Sequence, residues 1–365
     1  MKIAYCIHSL HLFGGIERVL AIKANYLADV YGYEIHIITA ALNGRKPHFR
    51  FSEKIQLHDV GISERFRPVA FRHRLDAILC DIRPDICVSV GGEEIFALPY
   101  CHDGSKKVSE FHFSHEKYYI KYGKNCLGKL YAGFRTRRME RIAASLDRFI
   151  VLTESDRKTW EKTVPGVINI YNPLTFSSDK TATLENKICI AVGRLEKQKN
   201  FKDLVVAWKE VAQQFPDWVL EIYGNGSLKE ALSRQIRELS LEGKVKLMGS
   251  SSDIHARMLE SSCLAMSSIY EGFPMVLLEA AETGLPMVSY NCSSGPDEII
   301  VDGRNGYLVE LGNTGQLARR LCAVLADQTL RKEFGENAKS TAARFSQDRI
   351  MSKWKEVFED IVKND

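Results

Sequence analysis

No stretch of this chain approaches the ~20 consecutive apolar residues that a membrane-crossing helix needs, so no helical span is expected in its 365 residues. The opening, Met1 to Ile7, is too short an apolar run for a signal peptide and reads as the start of a strand. There is no Cys-x2-Cys pair. The nine cysteines, an odd number, are scattered from Cys6 to Cys322, which argues against a disulfide framework or a zinc site and fits reduced, mostly buried thiols in a cytoplasm. Heptads, low-complexity tracts and short repeats are missing, as is the Gly-x-Gly-x-x-Gly fingerprint of a dinucleotide site. No nucleic-acid motif is found, so nucleic acid is not expected as a partner.

What is there describes a soluble globular protein of two ordinary domains, with 45% apolar and 26% charged residues. The net charge of +4 is unevenly spread. Residues 1–170 carry 26 Lys and Arg against 19 Asp and Glu, a balance of +7, whereas the remainder carries 24 against 27, a balance of −3. An anionic partner is therefore expected for the first half only.

Apolar runs alternate with helical patterns over short loops, the signature of parallel, doubly wound sheets. Strands are expected at Lys2–Ser9, Glu34–Ala40, Ile55–Val60, Asp85–Val90, Lys106–Phe111, Arg148–Leu152 and Val167–Ile170. A break at Tyr171-Asn172-Pro173-Leu174 and a polar stretch from Ser177 to Asn186 read as the linker. A second series follows at Lys187–Val192, Val219–Tyr223, Val245–Met248, Leu264–Met266, Pro286–Tyr290 and Tyr307–Val309, and three helices close the chain at Thr314–Ala326, Thr329–Arg344 and Gln347–Val362. The expected domains are 1–175, 176–346 and a terminal helical segment, 347–365.

The densest motif runs from Ser267 to Ala280. After the apolar run Cys263–Met266 comes a loop with Glu271-Gly272-Phe273-Pro274, then a helix from Met275 to Thr283 with Pro274 read as its first residue and Glu279 about one turn in. A strand–loop–helix unit presents free N–H groups and a positive dipole end, a natural seat for a phosphate or a sugar hydroxyl. Two carboxylates invite a glycosidase reading, but eight helical residues rise about 12 Å, more than the roughly 5–9.5 Å across a hydrolase pair. They read as contacts at two ends of one extended ligand, or else as two surface glutamates flanking a buried helix.

Glu-x7-Glu with Gly-Phe-Pro after the first Glu resembles the signature of the retaining glycosyltransferases of family four, whose fold is GT-B. Three further elements stand in the same order as in that family: Gly14-Gly15-Ile16-Glu17-Arg18 after the first strand, Gly193-Arg194 with Lys199 five residues on, and Gly224-Asn225-Gly226. The resemblance covers nearly the whole chain. It implies an α/β protein of two Rossmann-like doubly wound domains facing a cleft, an N-terminal one for the acceptor and a C-terminal one for the nucleotide sugar, with the last helix crossing back to the first. It implies transfer of a hexose or N-acetylhexosamine, with retention, from a nucleotide-diphosphate sugar, UDP-linked by expectation, to a glycan or polyprenyl-diphosphate-linked saccharide in cell-surface polysaccharide synthesis such as capsule or lipopolysaccharide. No cofactor or metal is expected, and no Asp-x-Asp triplet stands at a strand end to hold one.

The same resemblance assigns residues. Arg194 and Lys199 neutralise the departing diphosphate, a planar fork of donors beside a mobile point charge. Glu271 and the Gly272, Phe273 and Pro274 backbone hold the donor sugar, and Glu279 the ribose. Gly15, Gly193, Gly224 and Gly226 let the backbone approach the donor, although Gly14-Gly15, Gly224–Gly226 and Gly249 read equally well as plain turns. His112 aligns with the family's sugar-side histidine, with His115 close enough to leave the choice open. Gly295-Pro296-Asp297-Glu298 resembles a run found in bacterial polysaccharide enzymes, or Glu298 simply caps a helix. Finally, residues 117–141 hold eight basic side chains, Lys117, Lys121, Arg135, Arg137 and Arg138 among them, interleaved with aromatics. That pattern fits an anionic membrane surface and a cytoplasmic protein peripheral to the inner face of the plasma membrane, or else a solvated basic face. A sugar-nucleotide epimerase of the same fold and a non-catalytic carbohydrate-binding relative are the alternatives.

Overall fold

The computed structural model describes residues 1–11, 14–62 and 68–363, with the backbone alone at Pro68. The chain divides into two compact units, Met1–Thr175 with Gln347–Asp365, and Phe176–Ser346. The first contains β1 (Lys2–Ile7), α1 (Gly15–Asp29), β2 (Glu34–Thr39), β3 (Gln56–Asp59), α2 (Pro68–Ile82), β4 (Ile86–Ser89), β5 (Lys106–Phe111), α3 (Lys117–Tyr122), α4 (Cys126–Ala144), β6 (Arg148–Val151), α5 (Glu154–Trp160) and β7 (Ile168–Asn169). The second contains β8 (Ile188–Val192), α6 (Phe201–Gln214), β9 (Val219–Tyr223), α7 (Lys229–Glu238), β10 (Val245–Gly249), α8 (Ile254–Leu259), β11 (Cys263–Met266), α9 (Met275–Glu282), β12 (Met287–Tyr290), α10 (Pro296–Ile299), β13 (Gly306–Val309), α11 (Thr314–Ala326) and α12 (Gln328–Ala342). The last helix, α13 (Gln347–Lys363), belongs to the first unit.

Both sheets are parallel. The first has seven strands in the order β3-β2-β1-β4-β5-β6-β7, the second six in the order β10-β9-β8-β11-β12-β13. Covered on both faces, the central strands are near-continuous apolar runs such as Ile3-Ala4-Tyr5-Cys6-Ile7 and Ile188-Cys189-Ile190-Ala191-Val192. In each sheet the order reverses once, between β1 and β4 and between β8 and β11. Such a switch point, beyond the strands' carboxyl ends, is where ligands bind in open α/β sheets.

Element ends differ from the sequence reading where a side chain or ring takes over. Asp327 caps α12, its Oδ1 accepting from the N–H groups of Thr329 and Leu330 at 2.8 and 3.0 Å, so that helix starts at Gln328, and residues 343–345 tighten into a 3-10 turn. Pro274 is the cap of α9 and not its first residue: its φ of −79° and ψ of 86° are not helical. Gly295 is the N-terminal cap of α10, and Glu298 stands in its first turn.

Seven of the nine cysteines are buried and all are free thiols. Among the described residues no helix is long and apolar enough to cross a membrane.

Helix α13 is held by its apolar stripe. Ile350, Met351, Trp354, Phe358 and Ile361 recur at helical spacing and are buried against the core built from β1, β2 and α1. Exposed bonds at its flanks, Tyr26 to Asp348 at 2.5 Å and Arg148 to Asp360 at 2.8 Å, add little beside that burial. Replacing Trp354 by Ala is expected to cost the first unit about 3–5 kcal/mol, read as a lower urea midpoint for that unit's transition. A loss under ~1 kcal/mol would mean that the helix is not docked through this ring.

Candidate functional site

In the second unit the loops after β8 and β11 meet at the switch point. Lys199 ends the first of them, and its Nζ lies 2.6 Å from Oε1 of Glu271 in the second. The backbone ties the same loops: the N–H of Ile269 donates to the Gln198 carbonyl at 2.9 Å, the Gln198 amide donates to the Tyr270 carbonyl at 3.1 Å, and the Ser267 hydroxyl donates to the Lys199 carbonyl at 2.9 Å. Glu271 and Glu279 are each only 6% exposed, which removes the alternative of two surface glutamates. Phe273 is also buried, its ring packed 5.8 Å from that of Phe345. Burial, with the Glu271 carboxylate beside it, pushes the Cys292 thiol up to about 12, so this cysteine next to the loop is protonated and inert.

The loop after β9 lies against the loop after β8, backbone on backbone. The Leu195 N–H donates to the Asn225 carbonyl and the Leu228 N–H to the Leu195 carbonyl, both at 2.9 Å. This approach requires glycine. At Gly224, with φ +146°, a Cβ would sit 1.9 Å from the Gly193 carbonyl oxygen, and at Gly226 one would sit 2.4 Å from that of Leu195. Arg194 is exposed, its guanidinium 3.5 Å from Oε1 of Gln198. Arg194, Glu196, Lys197, Gln198, Ser227 and Tyr270 line an open depression here. Glu196, Gln198, Ser227 and Tyr270 have no role assigned by the motifs, although each lies in or beside one: Glu196 and Gln198 inside Gly-Arg-x4-Lys, Ser227 after Gly226 and Tyr270 before Glu271. Arg194, Lys199, Gly193, Gly224, Gly226, Glu271, Gly272 and Pro274 thus come from loops that touch, whereas Glu279 lies on the second turn of α9.

In the first unit Gly14 and Gly15 follow β1, Gly14 as the extended cap of α1 and Gly15 as its first residue, with open space where a Cβ would go. Leu12 and Phe13 before them lie outside the described residues. His112 follows β5 and is buried, its Nε2 3.4 Å from Oε1 of Glu110. His115 is committed elsewhere: its Nε2 is 3.1 Å from Oε1 of Glu140 and its ring stands edge-on to Trp160 at 4.7 Å. Neither Glu110 nor its second partner, Lys23, was singled out from the sequence, although a glutamate inside the buried strand Lys106–Phe111 is a readable anomaly.

The basic segment forms α3 and α4 and divides in two. Lys117 and Arg135 point inward, a correction to their placement on a charged surface. The Lys117 ammonium lies 3.4 Å from the Phe113 ring centroid, and burial lowers it to about 8. Arg135 pairs with Glu93 at 3.0 Å and stacks over Tyr118 at 4.9 Å. Lys121, Lys124, Lys129, Arg137, Arg138 and Arg141 are exposed. With them Leu127, Leu130 and Phe134 are 79%, 72% and 63% exposed on one helical stripe of α4, while Ala132, Thr136, Met139 and Ala143 bury the opposite one. An outward apolar stripe of this kind marks an interaction surface.

Residues 175–341 match the family model of the glycosyl transferases group 1. The amylovoran biosynthesis glycosyltransferase AmsD of Erwinia amylovora is 28% identical over 98% of this chain and 99% of its own. A Campylobacter jejuni enzyme, the N-acetylgalactosamine-N,N'-diacetylbacillosaminyl-diphospho-undecaprenol 4-alpha-N-acetylgalactosaminyltransferase, is 35% identical over 46% of this chain and 45% of its own. Among solved structures, Anabaena HepE in complex with UDP superposes with a TM-score of 0.78 at 19% identity, covering 99% of this chain and all of that one.

The glycine packing yields a contrast. Gly224→Ala is expected to cost the second unit more than about 2 kcal/mol in chemical denaturation, since strain at positive φ and a backbone clash add. Gly15→Ala, with open space at a helix start, is expected to leave the first unit unchanged or up to about 1 kcal/mol more stable. Equal effects would mean that the loops of the second unit are not locked together as described.

Proposed function

We propose, from the match of residues 175–341 to the glycosyl transferases group 1 and from the full-length likeness to the amylovoran transferase, that this chain moves a hexose or N-acetylhexosamine from a UDP-linked sugar to a glycan or lipid-linked saccharide, with retention at the anomeric carbon. The observation that carries the reading is the Lys199–Glu271 contact, because it brings the Gly-Arg-x4-Lys loop and the first Glu of Glu-x7-Glu to one place. An ammonium has three donors. One goes to Glu271, and two remain for a phosphate.

In this reading the bond between the sugar's C1 and the diphosphate oxygen breaks, and negative charge gathers on the departing UDP. Arg194, Lys199 and the N-terminal end of α9 stabilise that charge as it develops, an electrostatic contribution that needs no metal. Glu271 and the backbone at Gly272 and Pro274 hold the sugar, and Glu279 the ribose. The acceptor hydroxyl attacks C1 on the face that the diphosphate leaves, and its proton passes to a diphosphate oxygen. His112, in the first unit, takes the role of the family's sugar-side histidine, with which it aligns.

The amylovoran and lipid-linked transferases among the relatives support a cell-surface saccharide as acceptor. The exposed stripe of α4, with its basic side chains, supports reversible docking on an anionic membrane, and with it a peripheral, cytoplasmic location.

Arg194→Ala and Lys199→Ala are each expected to lower kcat/KM by about 10²-fold or more, with the fold intact by circular dichroism, in an assay of UDP release from labelled sugar nucleotides. Near-normal turnover in both would place the diphosphate elsewhere. For the membrane face, changing Lys121, Arg137 and Arg138 together to Glu is expected to abolish co-sedimentation with anionic vesicles while leaving transfer to a short water-soluble acceptor intact. Arg135 is left out because its removal breaks the pair with Glu93. Binding that is equal on neutral vesicles, or unaffected by the triple change, would contradict the docking reading.

A further inference from the structure

Lys23, Glu110 and His112 form a line of polar side chains inside the first unit. Glu110 lies in β5 and His112 one position past its end, two residues on, so both leave the same side of the sheet. Oε1 of Glu110 lies 3.4 Å from Nε2 of His112, and Oε2 takes the ammonium of Lys23 from α1. That ammonium is covered in turn by the indole of Trp354 on α13, at 3.5 Å to the ring centroid. The three side chains are 1%, 2% and 3% exposed for Lys23, Glu110 and His112. Burial alone would raise the Glu110 carboxyl, but Lys23 and His112 bring it down to about 2, and burial lowers Lys23 to about 8. Lys23 and Glu110 are therefore both charged at neutral pH.

Packing does not account for this arrangement. Desolvating two ions costs about as much as their attraction returns, and an apolar pair of equal volume commonly stabilises a core as well or better. What the carboxylate supplies, and an apolar side chain cannot, is a fixed acceptor for one ring N–H of His112. A carboxylate 3.4 Å from Nε2 favours the proton on that nitrogen, orients the ring and turns Nδ1 to whatever the histidine serves. The backbone around the pair is clamped as well. Gly91, with φ +83°, lies so close to β5 that a Cβ there would be 3.1 Å from the Glu110 carbonyl oxygen and 3.2 Å from the His112 nitrogen.

We infer that Glu110, held in place by Lys23, is a positioning residue that sets the ring orientation and tautomer of His112 for the transfer reaction. The inference rests on the reading of His112 given under Proposed function. Glu110→Gln is expected to lower kcat by about 10-fold or more, the scale at which second acceptors act on working histidines, with the KM for the nucleotide sugar changed less than about 3-fold. Since that variant strands the Lys23 charge and loses stability, the double variant Lys23→Met with Glu110→Gln is the decisive one: its melting temperature recovers and its kcat does not. Imidazole 15N shifts of His112 are expected to report the Nε2–H tautomer in the native chain and a mixture in both variants. Adding Glu110→Gln to His112→Ala is expected to lower kcat no further. Recovery of kcat in the double variant, unchanged 15N shifts, or additive losses would overturn the inference. Full activity of Glu110→Gln beside an impaired His112→Ala overturns it alone, whereas full activity of His112→Ala overturns the reading of His112 and this inference together.

Discussion

The ion pair between Lys199 and Glu271 is the constraint on which the candidate site depends. It joins two loops that are 72 residues apart in the chain and adjacent in space only because β8 and β11 are neighbours. Were the second sheet wound in chain order, β9 and β10 would part them and each motif would sit at its own loop. The pair leaves donors free on the ammonium and confines them between two backbones, so that an anion arriving there meets groups already in position. Preorganisation of this kind is the main source of electrostatic catalysis.

The first unit uses charge differently. At the carboxyl ends of its strands the ions are spoken for: Glu110 is buried between Lys23 and His112, while Lys117 is half-buried over Phe113 and Arg135 half-buried on Glu93 and Tyr118. Its surplus of positive charge therefore reaches solvent at fewer places than the residue count implies, chiefly on α3 and α4, beside the apolar stripe of Leu127, Leu130 and Phe134. The second unit thus presents an open polar depression, and the first an exposed basic and apolar face.

Much of this was legible in the residues. Strands buried on both faces announce themselves as apolar runs, and β5, β9 and α11 were read to the residue, because Gly, Pro and polar clusters bound them. The spacing of Gly193, Arg194, Lys199 and Glu271 picked out residues of two loops that the structure brings into contact, with Glu279 on the helix that follows. Strand order was not legible, since local pattern carries no information on which loop lies beside which, and so the Lys199–Glu271 contact was not foreseen. The direction of charged side chains was not legible either. Lys117 and Arg135 read as surface cations because composition cannot show that Phe113 and Tyr118 turn to meet them. Glu110 was readable as a charge in an apolar strand, yet its partner Lys23 lies 87 residues away on another element.

The central claim, that the loops joined by Lys199 and Glu271 hold a diphosphate, is tested most directly by comparing UDP with uridine in titration calorimetry on the full chain. The account predicts that the native protein prefers UDP by about 100-fold or more, each well-placed charged bond contributing about 1.5–3 kcal/mol, and that a double Arg194→Ala, Lys199→Ala variant loses that preference while binding uridine as before. An unchanged preference for UDP in the double variant would contradict it.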